Sequence, residues 1–153
     1  LLYDEFKFKC SIGKNGIRKL KHEGDKYTPK GFFNIGNLFF RKDKNTKPKT
    51  KIKCIPIKKN MGWCDDINSK KNYNKLVKIN DYEKHEKLFR HDNKYDFLIP
   101  ISFNKKRVLG KGSAIFIHLT KDYKSTEGCI ALKKKDFLIL LKLIKPKTKI
   151  KIS

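Results

Sequence analysis

Arginine is nearly missing from this 153-residue chain: of 39 basic residues only Arg18, Arg41, Arg90 and Arg107 are arginines, the rest being lysine. Acidic residues are scarce as well, 15 in all, which leaves a net charge of +24. Basic surfaces attract phosphate backbones, but lysine lacks the planar fork that grips phosphates and base edges in pairs. No zinc-finger spacing, RNP-like aromatic motif or helix-turn-helix pattern accompanies the charge. The abundance of Lys, Ile and Asn reads instead as the bias of an AT-rich genome, and no nucleic-acid partner is expected. Long hydrophobic runs are also lacking. None approaches the roughly 20 apolar residues that span a bilayer, and the chain opens at Leu1 without a signal-like stretch. Cys10, Cys54, Cys64 and Cys129 contain no C-x-x-C, and His22, His85 and His91 stand in no paired spacing to them, so neither metal nor cofactor is expected.

The length fits one domain with a core of its own. Phe6–Ile12 alternates apolar and polar residues and predicts a strand; Phe32–Ile35 and Thr50–Ile57 predict two more. The segment 60–91, rich in Asn, Asp, Lys and aromatics, reads as irregular with one short helix. Tyr95–Ile101 and Ala114–Leu119 resume the strand pattern. A helix is predicted over Asp136–Ile144, capped near Asp136, stopped by Pro146 and packed through Phe137, Leu140, Leu141 and Ile144. Lys147–Ile152 closes the chain as a strand. The heptapeptide Lys-Pro-Lys-Thr-Lys-Ile-Lys occurs twice, at 47–53 and 145–151. As strands, both copies would carry their lysines on one solvated face. The sum is a mainly β domain with one helix.

Chemistry concentrates in Gly112–Leu132. A predicted strand ends in His118, on the same face as Phe116, and Thr126-Glu127-Gly128-Cys129 follows after a polar turn. A thiol is nucleophilic as thiolate, and histidine is a suitable base for it. Gly128 admits backbone conformations closed to other residues, and its N–H with that of Cys129 would face a developing oxyanion. A buried structural thiol beside a core histidine fits this local pattern equally well.

The same residues resemble the catalytic signature of the L,D-transpeptidases, the YkuD-type domain. In that family a histidine at a strand end precedes a Ser/Thr-x-Gly-Cys-x-Arg motif. Glu23-Gly24-Asp25-Lys26-Tyr27-Thr28-Pro29-Lys30-Gly31 is similar to its G-x-x-x-T-P-x-G element, and Gly62-Trp63-Cys64-Asp65-Asp66 with Tyr73-Asn74 extends the likeness over nearly the whole chain. The resemblance implies a β-sandwich catalytic domain over 1–153, one helix after the cysteine, and a cell-envelope or periplasmic setting. It implies a Cys129 nucleophile, a His118 base oriented by the carbonyl of Leu119, an oxyanion site at Gly128 and Cys129, and peptidoglycan stem peptides as partners. Trp63, Asp65, Asp66, Tyr73, Asn74, Arg90, Ser113, Thr126 and Glu127 are candidate substrate contacts, although Trp63 equally reads as a core anchor and Ser113 and Thr126 as backbone ligands. With Cys129 free, the other three cysteines allow one disulfide at most, Cys10–Cys64 being one choice. A monomer is expected. One departure stands out: Ala131 occupies the motif's arginine position, as in the branch associated with 1,3 rather than 3,3 crosslinks. Hydrolysis of stems by the same thiol, and a lysine-rich protein that binds anionic polymer, are the alternative readings.

Overall fold

A computed structural model describes residues 1–153. Its centre is a five-stranded mixed sheet, with Ile130–Leu132, Phe116–Leu119, Phe97–Pro100, Leu38–Phe40 and Cys54–Pro56 side by side in that order. Phe116–Leu119 runs antiparallel to Phe97–Pro100 and parallel to Ile130–Leu132. All of Phe97–Pro100, Phe116–Leu119 and Ile130–Leu132 is buried, as strands covered on both faces must be. Alternation sorts their side chains. Phe97, Ile99, Ile117, Leu119, Ile130 and Leu132 join the core that includes Phe137, Leu140 and Leu141 of the helix Lys134–Leu143 and Ile144 just after it. Leu98, Phe116, Ala114 and Cys129 belong to a second, smaller core on the opposite face. The fold is mainly β with one helix, as the β-sandwich expectation requires, and no helix is long and apolar enough to cross a membrane.

Several local expectations are corrected. The segment 60–91 holds no helix. It forms a three-stranded antiparallel sheet of His85–Lys87, Met61–Cys64 and Leu76–Lys78, with turns between built on Asp66, Asn72 and Asn80 side chains. Phe6–Ile12 is not one strand. Phe6–Lys7 pairs with Leu2–Tyr3, and Ser11 then bridges Ala131 through two backbone hydrogen bonds of 2.8 and 2.9 Å. The helix begins at Lys134, two residues before Asp136, and Lys133 supplies no side-chain cap; Asp136 lies in the first turn, where a carboxylate favours the helix dipole. All four cysteines are free thiols, so the Cys10–Cys64 bridge does not form.

The two heptapeptides diverge. Lys149–Ile152 pairs with Gly31–Asn34, lysines exposed and isoleucines buried. In the copy at 47–53 no ladder forms; only Cys54–Pro56 beyond it is a strand. The lysines of both copies are nevertheless exposed.

Candidate active site

His118 and Cys129 reach one face of the central sheet by different routes. His118 follows Phe116 by alternation on its strand, while Cys129 lies just before the parallel neighbour, where Ala131 is the register partner of His118. Both line a cavity of about 1420 Å³. The His118 Nδ1 sits 2.8 Å from the Leu119 carbonyl. A carbonyl only accepts, so Nδ1 carries the proton and Nε2 is the basic nitrogen. The Tyr95 ring packs edge-on to His118 at 5.4 Å and to Phe116 at 5.9 Å, which further fixes the imidazole plane. The Cys129 thiol donates to the Ala114 carbonyl at 3.3 Å and accepts the Phe116 N–H at 3.4 Å.

The approach to the thiol is set by backbone geometry. Gly128 has φ 132°, and a Cβ there would stand 2.8 Å from the Tyr27 carbonyl oxygen, so only glycine fits. Thr28 holds this turn from across the chain: its hydroxyl donates to the Gly128 carbonyl at 2.9 Å and accepts the Gly13 N–H at 2.8 Å. That is a physical reason for a Thr-Pro element a hundred residues from the cysteine. Thr126 braces from the near side, donating to the Cys129 carbonyl at 2.6 Å and accepting the Gly128 N–H at 3.1 Å. The Gly128 N–H is thus already spent within the turn, whereas the Cys129 N–H makes no hydrogen bond in the chain.

Burial governs protonation. It pushes the Cys129 thiol up to about 12, the negative charge of Glu86 adding to the effect, while the Phe116 N–H and Lys21 oppose it. Burial also holds His118 down to about 4, although its bond to Leu119 pulls the other way. At neutral pH the resting pair is therefore an uncharged thiol and an uncharged imidazole rather than a thiolate–imidazolium pair.

The sequence-predicted contacts divide. Asp65, Asp66, Arg90, Ser113, Thr126 and Glu127 line the cavity with His118 and Cys129. Asp66 spends its carboxylate on the N–H groups of Asn68 and Lys84, and Arg90 is held in two bonds by Asp92. Asp65 Oδ1 and the hydroxyl of Ser113 are buried without hydrogen-bond partners. Glu127 is exposed beside Lys26 at 3.3 Å. Trp63, Tyr73 and Asn74 are not in the cavity wall. Trp63 packs edge-on to Phe116 at 5.3 Å, and its indole N–H bonds Asn74. Tyr73 is fully buried between Glu23 and the Gly112 N–H. Asn74 also accepts the Ala114 N–H at 3.2 Å, which holds Ala114 at φ 52° with its carbonyl against the thiol. These three are braces behind the site. Ala131 is buried in the sheet.

Sequence reading missed Lys21, Glu86 and Tyr95. Lys21 is buried beside Gly128, its ammonium bonded to Asp25 and to the Tyr27 carbonyl at 2.7 Å; the i, i+4 spacing to Asp25 was the available signal. Nothing in the local pattern marks Glu86 or Tyr95. Eight of the 15 acidic residues line the cavity against seven of the 39 basic ones, so a strongly basic molecule presents a site of near-balanced charge.

The family model of the L,D-transpeptidase catalytic domain, YkuD, matches residues 4–152. No curated protein and no solved structure matches the chain.

Proposed function

The chain belongs to the family of L,D-transpeptidase catalytic domains, and on that footing we propose that it crosslinks peptidoglycan stem peptides through a thioester on Cys129. The observation that carries this reading is a cavity lined by both Cys129 and a His118 whose Nδ1 is locked on the Leu119 carbonyl. Nε2 takes the thiol proton as sulfur attacks the donor carbonyl carbon, so charge develops only with the attack, as the two uncharged resting groups demand. The Cys129 N–H stabilises the oxyanion. Collapse of the tetrahedral intermediate breaks the amide bond, and the departing amine takes the proton from His118. The amine of a second stem then attacks the thioester, gives its proton to Nε2, and leaves as an amide crosslink while the thiol is restored. Residues 1–153 act as one catalytic domain, in the cell envelope where that substrate lies. Ala131 supports the 1,3 type of link.

Incubation with purified muropeptides and mass analysis of the products tests the reading. Dimeric stems are expected from the parent protein and none from Cys129→Ala. Shortened monomers without dimers would replace the transferase by a hydrolase, and unchanged substrate would overturn the enzymatic reading.

A further inference from the structure

The turn that presents the thiol offers a single free backbone donor. The Gly128 N–H is taken by the Thr126 hydroxyl at 3.1 Å, and only the Cys129 N–H stays open. An oxyanion that forms in a buried site is best stabilised by several donors already aimed at it.

Lys21 stands beside that turn. Its side chain is 3 % exposed and lines the cavity with His118 and Cys129. The stem runs between two glycines: a Cβ on Gly112 would lie 3.2 Å from its Cε, and a Cβ on Gly128 would lie 3.6 Å from its Nζ. Gly112 leads to Ala114, whose carbonyl accepts from the thiol, and Gly128 directly precedes Cys129. An ammonium has three N–H groups. Two are taken, by Asp25 Oδ1 and by the Tyr27 carbonyl at 2.7 Å, while the third has no acceptor in the chain. The anchors are themselves fixed. Asp25 accepts the N–H groups of His22 at 2.8 Å and Tyr27 at 3.1 Å, so Nζ is in place before any substrate arrives.

The reaction begins from an uncharged thiol and an uncharged imidazole and creates a negative oxygen. Every other lysine or arginine in the cavity wall is at least partly exposed, where water weakens its field. Lys21 is the buried cation there, and its pairing with Asp25 makes that burial tolerable. We propose that Lys21 is a further catalytic residue, its third N–H being the second donor to the oxyanion formed when the Cys129 sulfur adds to the donor carbonyl carbon. The ammonium keeps its proton throughout. It donates a hydrogen bond while the C=O bond becomes C–O⁻, and releases the oxygen when the C–N bond breaks and the carbonyl is restored. The inference rests on Cys129 being the nucleophile of the reading above.

Lys21→Met keeps the stem and removes the ammonium. Two reagents then compare the same thiol without any stem peptide: iodoacetamide alkylates the sulfur with no oxyanion, and p-nitrophenyl acetate acylates it through one. Acylation should fall roughly 100-fold, and alkylation by no more than about threefold. Lys21→Arg, which retains a charged donor, should recover part of the lost acylation. On muropeptides kcat should fall with KM near the parent value, as for an interaction made only in the transition state. A residue that merely holds the turn would slow both reagents alike; that result, or unchanged acylation, overturns the proposal. Should circular dichroism show that Lys21→Met is unfolded by its unpaired Asp25, the double variant with Asp25→Asn repeats the comparison on an uncharged pair. A parent protein whose acylation depends on Lys21 but which forms no dimers sinks the crosslinking reading alone. Dimers from the parent, with acylation intact in Lys21→Met, sink this inference alone.

Discussion

At the scale of single residues, the pair His118 and Cys129 carries the sharpest expectations. Replacing His118 by Gln should lower the acylation rate by roughly 100-fold or more, as loss of a general base does. The double change with Cys129→Ala should cost no more than Cys129→Ala alone, because the two residues act as a unit; muropeptide turnover measures both. A second expectation concerns pH. A base must be unprotonated to work, and His118 is held down to about 4 by burial. The acid limb of kcat/KM should therefore fall near pH 4 rather than near 6.5. The same group makes stability pH-dependent. Between 6.5 and about 4 the unfolded chain binds the proton and the folded one does not, so stability declines as pH falls through that window. The loss is on the order of 3 kcal/mol, readable from urea midpoints. A third expectation belongs to Ala131, which is buried in the sheet and offers no donor to a substrate carboxylate. Products should join the first residue of the donor stem to the diamino acid of the acceptor, and mass fragmentation should show the donor's distal residues gone. Dimers that all keep a tripeptide donor would mean that Ala131 does not report the link type.

At the scale of elements, the site depends on a brace between the three-stranded sheet and the segment before the histidine strand. Asn74 accepts from the Trp63 indole and the Ala114 N–H, and donates to the carbonyls of Phe103 and Asn104. Asn74→Ala should destabilise the fold by about 2–4 kcal/mol, since it leaves buried donors and acceptors unpaired, and should slow Cys129 chemistry by releasing Ala114. Urea unfolding and labelling rates check the two effects. Here sequence and structure part company. The histidine strand, the cysteine turn and the helix were legible because each has a strong local signal: alternation over Ala114–Leu119, a glycine before the cysteine, and apolar spacing over 137–144. The strands Leu76–Lys78 and His85–Lys87 are only three residues long, too short for any periodicity to mark them. Trp63, Tyr73 and Asn74 stood out by residue type, but type does not tell the front of a pocket wall from its back. Glu86 and Tyr95 enter the site only through sheet pairing and packing, which a local window does not contain. The repeated heptapeptide makes the same point: one copy contributes to a strand paired with Gly31–Asn34, while the other is irregular.

At the scale of the whole molecule, charge is partitioned, with a near-balanced cavity inside a surface that holds the lysine excess. Lys49, Lys51, Lys149 and Lys151 are all exposed. Changing them together to Gln should shift the urea midpoint little and leave stem turnover near the parent value. If turnover instead falls, and high salt reproduces the fall in the parent, the surface recruits substrate electrostatically. The connection between Thr28 and Gly128 has a further consequence, for the order of folding. The turn that presents the thiol is tied to a residue synthesised a hundred positions earlier, and the Tyr3 hydroxyl is bonded to the Leu143 carbonyl near the other end of the chain. Contacts of such long sequence separation close slowly and late. A chain emerging from the ribosome has made the Thr28 side of this tie long before Gly128, so the turn that presents the thiol is fixed only after every residue from 28 to 128 has been made.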